Sequence, residues 1–93
     1  MTEFVSEYSL MPEVHGAATR YFFPNGWGAS IIRHDRSYGG RNGNFEIAVL
    51  KGDIRNWDIH YENPVANGDV IGHLDFFEVA NALSLISKFP QAT

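Results

Sequence analysis

The sequence predicts an α+β domain: a four-stranded antiparallel meander followed by one C-terminal amphipathic helix packed on one of its faces. Three observations carry this expectation. Short segments rich in β-branched and aromatic residues occupy 19–23, 28–34, 45–51 and 57–62. Turn signals separate them, among them Pro24-Asn25-Gly26, Gly39-Gly40-Arg41-Asn42-Gly43-Asn44 and Gly52-Asp53, where Gly and Asn tolerate positive φ and Pro presets φ. Beyond Asp75 the apolar spacing changes to a helical period. The chain of 93 residues is 44% hydrophobic and 19% charged, a composition that folds. Its length suits a single domain over 1–93 with a modest core.

Residues 1–16 contain Phe4, Val5, Tyr8, Leu10, Met11 and Val14, too apolar for a free tail, and are expected to form an irregular extended segment or an edge strand. The meander is expected over 17–63. Ile31 and Ile32 in the second segment suggest a central strand covered on both sides. In the third, Phe45, Ile47 and Val49 alternate with Glu46, Ala48 and Leu50. In the fourth, Trp57, Ile59 and Tyr61 face one way, and Asp58, His60 and Glu62 the other. Asn63-Pro64 and Asn67-Gly68-Asp69 mark further turns. The helix is expected over 75–89. Asp75-Phe76-Phe77-Glu78 reads as a capping box, with Leu74 and Val79 as its hydrophobic staple. Phe76, Val79, Leu83 and Ile86, supported by Ala80, form the apolar stripe, and Pro90 ends the helix.

Charge and composition exclude several classes. The net charge is −4, which argues against direct nucleic-acid binding. With no cysteine there is no disulfide framework and no thiolate nucleophile. Apolar runs are short and the N-terminus lacks a signal-peptide layout, so a cytosolic protein without a membrane segment is expected. The distribution of charge is more informative than the sum. Residues 17–44 carry Arg20, Arg33, Arg36 and Arg41 against Asp35, for +3, whereas 45–75 carry Lys51 and Arg55 against six acids, for −4.

Three constellations bear on function. The stretch 33–44 joins Arg33, Arg36 and Arg41 to Tyr38 and three glycines. Guanidinium forks and loop amides of this kind serve a protein interface or an anion clamp. It lacks the P-loop ending, so a small-ligand or nucleotide-binding module is the second reading. Trp27, between Gly26 and Gly28, either folds over the core edge or stands as an interface anchor. An acidic surface of Glu46, Asp58 and Glu62 is the alternative interface, able to imitate nucleic acid. His34, Asp58 and His60 supply donors for a metal-dependent enzyme, a third reading without any HExxH motif. Ser30 and Ser37 lack a nucleophile elbow, so no catalytic residue, no metal and no cofactor are expected, and the protein is read as a non-enzyme.

The block Tyr21-Phe22-Phe23-Pro24-Asn25-Gly26-Trp27-Gly28-Ala29-Ser30-Ile31-Ile32-Arg33-His34 resembles small uncharacterised proteins of tailed bacteriophages that share F-x-N-G-[YW]-G-A-S-[VI]-[VI]-R-H. The resemblance continues through Ser37-Tyr38-Gly39-Gly40, residues 45–50 and residues 69–74, covering roughly residues 20–88. It brings no catalytic residues. It implies an accessory protein, acting in the cytoplasm of the bacterial host, that binds and inhibits a host protein, anti-CRISPR proteins being one such type. Trp27, Arg33, Arg36, Tyr38 and Arg41 are the expected partner-binding residues. A homodimer is expected because a small aromatic-rich core gains by association, with an edge strand at 1–16 or 19–23 as its surface.

Overall fold

A computed structural model describes residues 3–34, 44–60 and 71–92. The protein is α+β, with an antiparallel sheet and one C-terminal helix. The strands are β1 (Val5–Met11), β2 (Gly16–Phe22), β3 (Trp27–Arg33), β4 (Phe45–Asp53), β5 (Asn56–Ile59) and β6 (Ile71–Leu74), followed by α1 (Phe76–Ser87). The order β1-β2-β3-β4-β5 is a meander, and β6 pairs with β4 on the side that β5 occupies further along. The expected four strands are therefore too few: among the described residues the sheet has six. Residues 5–11 form the edge strand β1. The missed strand β6 is four residues long and carries a bulge, pairing Phe45 with Leu74 but Ile47 with Ile71. Within it His73 has φ 60°, the left-handed conformation that lets an extra residue leave the ladder.

Turn chemistry sets the hairpins. Between β2 and β3, the Gly26 amide donates to the Phe23 carbonyl at 3.2 Å, and the Phe23 amide donates to the Trp27 carbonyl at 2.8 Å. Pro24 and Asn25 are the central turn residues, and Gly26 at φ 82° completes the bulged closure that suits a right-twisted hairpin. Between β4 and β5, Asp53 Oδ1 accepts from the amides of Arg55 and Asn56 at 2.9 and 3.0 Å. Between β1 and β2, a 3₁₀ turn at Pro12–Val14 ends on His15 with φ 55°.

The helix begins as expected but ends at Ser87, with Lys88 as its C-cap, short of the expected end at Phe89. Asp75 is its N-cap; Glu78 N–H donates to Asp75 Oδ1 at 2.8 Å and Asp75 N–H donates to Glu78 Oε1 at 3.0 Å. Its buried residues are Val79, Ala82, Leu83 and Ile86, packed on Phe23, Ala29, Ile31, Ile47 and Val49. The expected stripe needs one correction. Phe76 is 71% exposed and Ala80 is also exposed, and Ala82 takes the core position. Phe76 stands immediately after the N-cap, before the helix has run far enough over the sheet to be covered.

Among the described residues no helix covers the opposite face, yet it is buried. Ala18, Phe22, Ser30, Ala48 and Leu50 are all below a tenth exposed. Strands β2 and β5 are three strand spacings apart, about 14 Å in a flat sheet. Even so, the Arg20 guanidinium carbon lies 5.2 Å from the Trp57 ring centroid. The sheet curls toward this face, and the small residues Ala18, Gly28, Ser30 and Ala48 leave room for it to do so. Gly28 is required there: a Cβ would lie 2.3 Å from the Tyr21 carbonyl oxygen. Among the described residues no helix is long and apolar enough to cross a membrane.

Candidate functional site

At the end of the sheet where β3 begins, the Asn25-Gly26-Trp27 turn is a clamp on the chain's C-terminus. Asn25 Nδ2 donates to the carbonyls of Ile86 and Phe89 at 2.9 and 3.2 Å, and Asn25 Oδ1 accepts from the Trp27 amide at 3.0 Å. The Ala92 amide donates to the Asn25 carbonyl at 2.8 Å. Trp27 Nε1 donates to the Pro90 carbonyl at 3.0 Å. Its ring meets His60 and Phe89 edge-on, at 5.0 and 5.4 Å between centroids, and Lys51 Nζ lies 5.8 Å away. Trp27 is half-buried, and its one donor is used within the chain. Of the two sequence readings for this residue, folding over the core edge describes its contacts.

The opposite end of β3 has a different character. Arg33, its last residue, is exposed, and its guanidinium carbon stands 5.4 Å from the Phe45 ring centroid. Phe45 is half-buried against the core, so the ring gives the cation a fixed platform. Beside them lies a hollow of about 380 Å³ lined by Tyr8, Leu10, Thr19, Ile31, Arg33 and Phe45, among others. Tyr8 is 64% and Leu10 72% exposed. Alternation puts Tyr8, Thr19, Ile31, Arg33 and Phe45 on the helix-bearing face, as their cross-strand register requires. The helix covers the middle of that face and leaves this corner open.

Trp27 and Arg33 thus occupy opposite ends of one strand, six residues or about 20 Å apart. They stand at opposite ends of the face that carries the helix. Arg36, Tyr38 and Arg41 lie outside the described residues, as does Glu62. Glu46 and Asp58 point to opposite faces: Glu46 opposes Ile32 on the curled face, and Asp58 opposes Lys51 on the helix face. The alternation read for 57–60 holds, since the His60 amide donates to the Val49 carbonyl at 2.8 Å and Leu50 opposes Ile59. His34 adjoins Gly16 at the Arg33 end, whereas His60 packs on Trp27 at the other. Among the described residues no three His, Asp or Glu side chains converge as metal ligands.

Sequence reasoning missed four residues. Asn25 looked like a turn residue, and nothing local announces that its amide reaches carbonyls 61 and 64 residues away. Tyr8 and Leu10 carry no clear signal, since apolar and polar residues fall on both faces of VSEYSLM, and their exposure is set by the register of β1 on β2. Arg20 pairs with Glu7 at 2.9 Å on the curled face, a cross-strand contact fixed by the register of β1 on β2. No protein family, curated protein or solved structure matches the chain.

Proposed function

We propose that this chain is a non-catalytic accessory protein of the bacteriophage type that binds and modulates or inhibits a host protein in the host cytoplasm. The observation that carries the reading is Arg33: an exposed guanidinium stacked on Phe45 beside a hollow rimmed by exposed Tyr8 and Leu10. Arginine and tyrosine are favoured interface anchors because each brings a large contact area and a polar tip. Arg36, Tyr38 and Arg41 follow directly in sequence and extend the same chemistry. The chain is acidic overall, so a basic patch selects a partner that presents acidic groups. Trp27 supports the fold in this reading and contributes to binding only through the chain it holds in place.

The test is affinity capture from a bacterial lysate, followed by association kinetics with the purified partner. Arg33→Glu should slow association on the order of tenfold at low salt, and added salt should erase the difference. Lys88→Glu, exposed at the end of the helix, should leave the rate unchanged. A partner bound equally well by wild type and Arg33→Glu at low salt would refute the reading.

A further inference from the structure

We infer that β1 pairs with β1 of a second copy, antiparallel about a two-fold axis at Tyr8, to join two sheets edge to edge. This goes beyond the proposed capture of a host protein and does not depend on it. The argument begins with hydrogen-bond parity. The Phe23 amide donates to the Trp27 carbonyl, so odd-numbered residues of β2 direct their N–H and C=O groups at β3. Even-numbered residues of β2 therefore face β1. The register Val5↔Phe22, Glu7↔Arg20 and Ser9↔Ala18 then assigns the odd-numbered residues of β1 to β2. Ser6, Tyr8 and Leu10 aim their backbone groups outward. Among the described residues β1 pairs on one side only.

This edge lacks the usual protection. Monomeric proteins guard edge strands with lysine, proline, bulges or shortness. β1 has seven residues, VSEYSLM, in unbroken register with β2. Its one charge, Glu7, is turned to the other face and held by Arg20. On the face that carries Ser6, Tyr8 and Leu10, the two large side chains are exposed, at 64% for Tyr8 and 72% for Leu10.

The occupant and its register follow from the strand itself. Backbone parity permits a two-fold axis at Glu7 or at Tyr8. An axis at Glu7 sets two carboxylates directly opposite each other, which is destabilising. An axis at Tyr8 pairs Ser6 with Leu10 and Tyr8 with Tyr8, with about six hydrogen bonds, two per narrow pair. It also places Glu7 opposite Ser9, and Val5 opposite Met11, so no like charges meet. An axis at Ser9 would bring Pro12, which has no N–H, into the ladder. Only the Tyr8 axis meets both the hydrogen-bond and the charge conditions while keeping every outward amide of β1 paired.

Sedimentation of the full chain across a wide concentration range should show reversible conversion to twice the monomer mass. Tyr8→Pro removes an outward N–H while leaving the β2 side of the strand bonded, so it should abolish the dimer and retain the circular dichroism of the fold. The chain has no cysteine of its own, so introduced thiols report register. Mixing Ser6→Cys with Leu10→Cys should yield a disulfide-linked heterodimer, because narrow-pair Cα atoms lie about 5.5 Å apart. Glu7→Cys alone should not cross-link, its two Cα atoms then being about 8 Å apart, beyond disulfide reach. A monomer at all concentrations, a dimer unaffected by Tyr8→Pro, or cross-linking by Glu7→Cys in place of the mixed pair would overturn the inference.

Discussion

At the scale of single residues, Trp27 and Gly26 decide how the end of the chain is held. Trp27→Phe keeps a ring against Phe89 and loses the donor to the Pro90 carbonyl. Urea unfolding should show a loss of about 1 kcal/mol, the net worth of one hydrogen bond. Trp27→Ala removes the ring as well and should cost about 2–4 kcal/mol, in the range of large-to-small changes at a half-buried site. Gly26→Ala should cost about 1–2 kcal/mol, since φ is 82° and its Cβ would come 2.9 Å from that of Ala92. A Trp27→Phe variant as stable as the parent would show that the indole N–H does not hold the tail. The turn at Pro24-Asn25-Gly26 was legible because turn preference belongs to the residues themselves. The grip of Asn25 on Ile86 and Phe89 was not, because it exists only once the helix has docked.

At the scale of elements, the helix separates two kinds of legibility. Its start was read correctly from four adjacent residues, since a capping box closes within one turn. Asp75→Ala should therefore cost about 1 kcal/mol in thermal or urea unfolding. Leu83→Ala, at a core position of the helix, should cost on the order of 2–5 kcal/mol. Phe76→Ser should change stability by no more than about 0.5 kcal/mol, because the ring is 71% exposed. A large loss for Phe76→Ser would contradict its position outside the core. Phe76 was misjudged from the sequence because helical periodicity identifies a stripe without showing where the sheet beneath it stops. Strand β6 escaped notice for a related reason. Four residues with Gly72 and a left-handed His73 have no alternation to detect, and their partner, β4, is supplied by tertiary pairing.

At the scale of the whole molecule, the centre of stability is β3 with β4. Ala29, Ile31, Ile47 and Val49 meet the helix on one face, and Ser30, Ala48 and Leu50 are buried in the curl of the other. Amide exchange in β3 and β4 should therefore proceed only through global unfolding, while β5, with four largely exposed residues, should open locally and exchange faster. Equal protection of β5 and β3 would contradict this gradient. Ile31 and Ile32 point to a strand covered on both sides; among the described residues it is the sheet itself that curls over the face opposite the helix, with Trp57 reaching Arg20.

What the sequence by itself determined were the features whose physics is complete within a few residues: the turns at Pro24-Asn25-Gly26 and Gly52-Asp53, the alternation of β4 and β5, and the capping box. What tertiary structure alone decided was the placement of these parts. It put Trp27 and Arg33 at opposite ends of a strand, Glu46 and Asp58 on opposite faces, and Phe76 outside the core. Each of those outcomes depends on strand order, register and curvature. These arise from contacts between residues distant in sequence, so no window along the chain contains them.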